Sequence, residues 1–223
     1  TTGFAIPYLV VAIVLGHGLS SGILSIIIAL APMMTYLGAV IFRLEKAGWL
    51  RFLGLFVGMA GIVLIVAPDS SLPSPDLVVW VLVAMIVPLG YAATTISAAL
   101  MRPPAMDSLS FSAGFFIAPV PILFIAMIAS GDMWVFSGGF GDAEWALLLS
   151  ALVQGLGIYL FLELVVLMGP VFFTTVNFIT PVTGILWGMA FFDERLSSWV
   201  LIALVPLFLG LLFVILPRKT RQV

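Results

Sequence analysis

Residues 32–68 read PMMTYLGAVIFRLEKAGWLRFLGLFVGMAGIVLIVAP, and residues 181–217 read PVTGILWGMAFFDERLSSWVLIALVPLFLGLLFVILP. Laid over each other without a gap, the two stretches agree at positions that bend or end a membrane helix. Pro32 falls on Pro181, Glu45 on Glu194, Lys46 on Arg195, Gly61 on Gly210 and Pro68 on Pro217, always at an offset of 149 positions. Each copy is an apolar helix, a short charged turn, a second apolar helix with a glycine, and a proline. Repeats in a membrane chain mark many secondary transporters, whose substrate sites form where two repeats meet.

The composition around these copies sets the solvent. The 223 residues are 63% hydrophobic and 8% charged, with a mean hydropathy of +1.32, where a soluble domain carries about 25% charged residues. Such a chain cannot cover itself with polar surface, so lipid must surround it. The net charge of −2 carries little information, because so few charges are present. The absence of cysteine excludes a disulfide framework and thiolate metal sites, and the single histidine, His17, gives no basis for a histidine metal centre. No P-loop, ATP-binding or redox motif is legible. No cofactor and no nucleic-acid partner are expected, and any transport must run on a gradient or by exchange.

A helix needs about 20 apolar residues to cross the hydrocarbon. Eight segments meet or approach that length, at 2–16, 20–42, 50–67, 77–99, 109–130, 144–167, 170–192 and 198–216. Gly and Pro clusters separate them, including Gly16-His17-Gly18, the 68–76 linker, Arg102-Pro103-Pro104 and Gly169-Pro170. These residues end helices by permitting positive φ or by removing a donor. The runs do not alternate as β-barrel strands do. With the gaps numbered alternately, Arg43, Lys46, Arg51, Arg102, Arg218, Lys219 and Arg221 fall on one side and Arg195 alone on the other. The excess marks the cytoplasmic side, which predicts a multi-pass protein of the plasma (cell inner) membrane with a cytoplasmic C-terminus.

The second segment matches the seventh, and the third matches the eighth. Matched segments are five apart, an odd number, so they cross in opposite directions and the repeat is inverted. This predicts an all-helical bundle of two units: a partial first repeat at 1–67 with three helices, and a complete second repeat at 77–217 with five. On this logic two further helices precede Thr1, making ten.

Gly169-Pro170, Pro181, Gly184, Asp193-Glu194-Arg195-Leu196-Ser197 and Gly210 together resemble the EamA-type drug/metabolite transporter family. The resemblance covers residues 1–217. It implies ten helices in two inverted sets of five, and transport of a small organic metabolite or drug. The first copy departs from the pattern, with Leu44-Glu45-Lys46 where the family often has Gly-Glu-Arg.

Candidate site residues follow from polarity in apolar surroundings. Glu163 is the sole acidic residue inside an expected span, and Tyr159 lies one turn earlier on the same face. Desolvation disfavours the charged form of a carboxyl, so Glu163 is the candidate proton carrier, or the partner of a cationic group. Its alternative is a place near headgroup water at the cytoplasmic end. Thr174, Asn177, Pro181, Gly184 and Gly188 form one stripe of the seventh segment, and Pro181 frees the carbonyl of Asn177. Pro32 should kink the second segment, where Tyr36 lies nearby. Tyr91, with Thr94 and Thr95, and Gln154 add hydrogen-bonding groups, although membrane Thr hydroxyls often bond only their own backbone.

The expected substrate lining is therefore Tyr36, Tyr91, Gln154, Tyr159, Glu163 and Asn177, with helix kinks at Pro32 and Pro181. Gly54/Gly58, Gly18/Gly22 and Gly184/Gly188 have the small-xxx-small spacing that lets helices approach closely. Gly18-Leu19-Ser20-Ser21-Gly22 matches the G-x-S-x-G hydrolase pattern beside His17. That pattern requires a strand-to-helix elbow, and between two membrane helices it reads as chance, so no enzyme is expected. The expected function is secondary active transport of a small organic molecule, with export as the expected direction and protons as the candidate coupling ion. A passive channel on the same repeats is the alternative, and a second copy of the chain is a candidate partner.

Overall fold

The computed structural model describes residues 2–67, 72, 74–101, 107–131 and 140–215. Among the described residues the regular elements are all helices: α1 (Thr2–Gly16), α2 (Ser21–Ile28), α3 (Ala31–Ile41), α4 (Trp49–Val66), α5 (Leu77–Ala84), α6 (Ile86–Met101), α7 (Ser108–Ile117), α8 (Val120–Ser130), α9 (Asp142–Phe191) and α10 (Ser198–Ile215). Among the described residues, five stretches are long and apolar enough to cross a membrane: Ser21–Ile41, Trp49–Val66, Leu77–Ser97, Asp142–Leu160 and Ser198–Ile215.

Proline explains where the expected segments break. The second segment divides at Ala29-Leu30, with Pro32 in the first turn of α3. Pro has no N–H for the carbonyl four residues back, and it fits the first helical turn, where that donor is idle. The fourth segment tightens at Met85, whose N–H reaches Leu82 three residues back, just before Pro88. The fifth breaks between Ile117 and Val120, at Pro119.

One expected break is absent. α9 runs through Gly169-Pro170 and Pro181 as one helix of 50 residues. At 1.5 Å per residue this is about 75 Å, more than twice the hydrocarbon thickness of about 30 Å. The two apolar runs expected at 144–167 and 170–192 therefore lie end to end. Each proline removes a single ladder bond, and membrane helices absorb that loss through neighbouring groups and local adjustment.

The α1–α2 turn shows its cause directly. Gly18 has φ +87, Leu19 N–H donates to Val14 carbonyl at 3.1 Å, and Gly18 N–H donates to Leu15 carbonyl at 3.0 Å. This double closure needs a left-handed residue, which glycine supplies without strain. Ser20 then caps α2, its side chain accepting from Ile23 N–H at 3.2 Å. The serine of the apparent hydrolase pattern is thus a helix cap between two helices.

The most extensive helix pairing among the described residues is α4 with α10. Both bury the same face in repeat register. Gly54, Gly58, Gly61, Ile62 and Ile65 are buried on α4, and Ala203, Leu207, Gly210, Leu211 and Val214, each 149 positions later, are buried on α10. A Cβ on Gly54 would lie 2.6 Å from the Gly210 carbonyl oxygen, and a Cβ on Gly61 would lie 2.9 Å from the Ala203 carbonyl oxygen. As the number rises along α4 it falls along α10, so the helices run antiparallel. The contacts are also reciprocal: Gly61 meets Ala203, while their counterparts Gly210 and Gly54 meet each other. Close backbone approach at small residues is the main attraction between helices in lipid, where apolar side chains gain little by leaving the solvent.

The core continues through α2 and α3, where Ile23, Ile26, Ile27, Leu30 and Met33 are almost fully buried. By contrast, none of the Asp142–Leu160 stretch is buried. Leu148, Leu149, Leu152, Val153 and Leu156 stand exposed there, as expected of a surface that faces lipid.

Candidate functional site

Three helices bring hydrogen-bonding groups together on one flank. α1 packs along α6, which places Tyr8 within electrostatic reach of Tyr91. Gln154 of α9 donates from Nε2 to the Tyr8 hydroxyl. Tyr8 and Tyr91 are half-buried and Gln154 is exposed. The cluster can present phenolic rings and an amide, groups that both donate and accept hydrogen bonds and offer aromatic faces. Tyr91 and Gln154 belong to the lining expected from sequence. Tyr8 does not, although it is the remaining one of only four tyrosines. Its scarcity in an apolar chain was the one available signal, since nothing local distinguishes it.

The other candidates lie elsewhere. Tyr36 is buried in the middle of α3, and its hydroxyl accepts from Gly48 N–H at 2.8 Å. Its ring meets Phe52 edge-on at 5.8 Å, and the Arg51 guanidinium sits 5.3 Å from its centroid. These contacts tie the α3–α4 turn together. Tyr159 and Glu163 are on α9, Tyr159 exposed and Glu163 half-buried. The Asn177 and Thr174 side chains lie outside the described residues. Thr94 and Thr95 bond the Gly90 and Tyr91 carbonyls at 2.9 Å each, which commits their hydroxyls to their own helix.

A second constellation closes one end of α2. Glu194, in the turn between α9 and α10, accepts from Ser21 N–H at 2.6 Å and from Gly22 N–H at 3.0 Å. With Ser20 on Ile23 N–H, the first three donors of α2 are all satisfied, the need every helix start carries. The carboxylate also complements the positive end of the helix dipole. The approach depends on glycine, because a Cβ on Gly188 would strike Glu194 Oε2 and one on Gly22 would lie 2.8 Å from Leu196 Cδ1. One turn deeper, a Cβ on Gly184 would overlap Ser25, whose hydroxyl donates to the Gly22 carbonyl at 2.7 Å. Gly184 and Gly188 therefore serve as the contact face of α9 on α2. At the same end His17 stacks on Trp80 with ring centroids 3.7 Å apart, and its Nδ1 lies 2.8 Å from the Ile13 carbonyl.

Outside the spans, Asp107 caps α7 by accepting from Ser110 N–H at 2.6 Å. Hydrogen bonding to Ser110 holds its carboxyl below the usual carboxylate value.

The family model of the EamA-like transporter family matches residues 78–216, which is more than half of the chain. No curated protein and no solved structure matches it. The match runs from the start of α5 to the end of α10 and so takes in α9, the Glu194 turn and the α10 face that packs on α4. With its all-helical, multi-pass architecture and several membrane-length apolar helices, the chain belongs to the EamA-like transporter family of membrane transporters.

Proposed function

We propose that the protein is a secondary transporter that moves a small organic molecule, with export as its direction, and that it is built from two inverted repeats. The observation that carries this reading is the antiparallel, reciprocal packing of α4 on α10. Two repeat counterparts that run in opposite directions and meet through equivalent residues are related by a two-fold axis across the helices. For helices that cross a bilayer, that axis lies in the membrane plane, the arrangement on which alternating-access transporters are built. The two units are then 1–67 and 77–217. The lysine and arginine bias places the C-terminus in the cytoplasm of a cell whose plasma membrane holds the protein.

The solute contacts are assigned to Tyr8, Tyr91 and Gln154, together with Tyr36, Tyr159, Glu163 and Asn177 from the sequence reading. Glu163 is assigned the proton step, because a carboxyl in an apolar span marks a pathway by default. The test is counterflow in proteoliposomes with a panel of labelled small organic solutes. A transporter accelerates labelled uptake when the vesicles are preloaded with the unlabelled solute. Flux without that acceleration supports the passive channel instead. In Glu163→Gln the expected result is flux that has lost its pH dependence; wild-type pH dependence removes Glu163 from the coupling.

A further inference from the structure

We infer that Glu194 is a clasp that seals one end of the solute pathway, and that Glu45 is its opposite number at the other end. The inference rests on the inverted-repeat reading above. Its starting point is a bond between segments far apart in the chain: the Glu194 carboxylate holds the N–H groups of Ser21 and Gly22. It is the side-chain hydrogen bond by which the α9–α10 turn grips α2 among the described residues. Everything around it is cut to fit. Gly188 and Gly22 leave no room for a Cβ beside the carboxylate and Leu196. The Ser21 hydroxyl is buried without a hydrogen-bond partner, which is the cost of drawing the α2 start against α9.

The repeat supplies the second half of the device. Glu45 is the counterpart of Glu194, and its N–H donates to Ala39 carbonyl at 3.1 Å as Glu194 N–H donates to Gly188 carbonyl at 3.2 Å. The two backbones therefore deliver the carboxylates from equivalent places. The side chains then diverge: exposed Glu45 pairs with half-buried Arg51 in the first turn of α4. The counterparts of Ser21 and Gly22 are Pro170, which has no N–H, and Val171, which lies inside α9, where its N–H is spent on the helix ladder. Yet Gly169-Pro170 is a good sequence for a helix start, with Gly tolerated at the cap and Pro favoured at the first helical position. Gly169 has no side chain with which to cap such a start, so a carboxylate must come from outside. In this conformation one clasp is closed and the other is open. Exchange of the two, with Glu194 releasing α2 and Glu45 taking a start formed at Gly169-Pro170, opens one end as it shuts the other.

The test uses the cysteine-free protein in membrane vesicles, with Ser25→Cys as reporter below the Glu194 clasp. A membrane-impermeant thiol reagent is applied from the side that carries Glu194. Glu194→Ala should raise the labelling rate about thirtyfold, the population change that follows loss of its hydrogen bonds to Ser21 and Gly22. Glu194→Gln keeps one carbonyl oxygen and should give an intermediate rise, which guards against misreading a misfolded alanine variant. Glu45→Ala should lower the rate, because it handicaps the state in which the Glu194 end is open. An unchanged rate in both Glu194 variants overturns the clasp. A rise in Glu45→Ala as well overturns the opposition, since it reports general loosening. The readout is thiol access and not flux, so a protein that fails the counterflow test still shows whether the clasp holds.

Discussion

The stretch from α3 to α4 and the stretch from the end of α9 to α10 share one sequence pattern but end their first helix differently. α3 closes with Arg43 in the left-handed region at φ 59, with Leu44 N–H on Ala39 carbonyl and Arg43 N–H on Val40 carbonyl. α9 continues one position further in repeat register, and its left-handed residue is Asp193 at φ 51. The turns thus differ by one residue while Glu45 and Glu194 keep equivalent backbone bonds, to Ala39 and Gly188, and of the two carboxylates Glu194 is the one that reaches α2. The upstream prolines differ as well: the helix breaks before Pro32 but passes through Pro181. The second helices, α4 and α10, by contrast share most of their buried positions, from Gly54 and Ala203 to Ile65 and Val214. The two copies are therefore alike where α4 and α10 pack on each other and unlike at the turns that precede them.

Substitutions can break each side of this comparison. The largest effect is expected at the symmetric contact. Gly210→Leu would drive a side chain into the Gly54 and Gly58 backbone and should cost about 3 kcal/mol or more, the upper end for overpacking. Gly155→Leu, where nothing stands within 4 Å, should be neutral or gain up to about 1 kcal/mol of helix propensity. Thermal unfolding in detergent measures both. Next come the glutamates. Glu194→Ala removes two hydrogen bonds to a charged group and should cost about 2 kcal/mol, whereas Glu45→Ala loses a partly exposed ion pair worth at most about 1 kcal/mol. Equal losses would mean that the two turns are interchangeable. Ser20→Ala should cost about 1 kcal/mol, as lost N-caps do, with raised amide exchange confined to the start of α2.

The smallest effect is a pH response at Asp107. Its folded-state value is depressed by the Ser110 contact, so the stabilisation is present above the ordinary carboxylate value of about 3.9 and fades as pH falls through the lower folded value. The protection factor of the Ser110 amide against exchange should fall in that acid window and stay constant above it.

The close-packing face of α4 was legible because it is written in spacing, although its partner helix was not. Gly54, Gly58 and Gly61 mark a helix face by themselves, and the constant offset carries that face onto Ala203, Leu207 and Gly210. The helix break before Pro32 has a local cause, since a missing donor acts on the carbonyl four residues back. The path through Gly169-Pro170 was not legible, because a proline only lowers the odds of a helix and the surrounding structure decides. The Glu194 contact joins residues more than 170 positions apart, and no local signal reports which helix start a distant carboxylate will cap. Tyr8 was missed likewise, as its value comes from Gln154 and Tyr91 on two other helices. Tyr36 shows the reverse case: a tyrosine noted for its polarity commits its hydroxyl to Gly48.

The antiparallel contact between repeat counterparts can be measured directly in this cysteine-free chain. Cysteine pairs are placed at the helix ends and joined with a short bifunctional thiol reagent in native vesicles. Antiparallel packing predicts cross-linking of Trp49→Cys with Ile215→Cys and of Val66→Cys with Ser198→Cys. It predicts none for Trp49→Cys with Ser198→Cys or Val66→Cys with Ile215→Cys, whose partners stand about 27 Å apart along an 18-residue helix. Cross-linking of the second two pairs in place of the first two would make the helices parallel and contradict the inverted repeat.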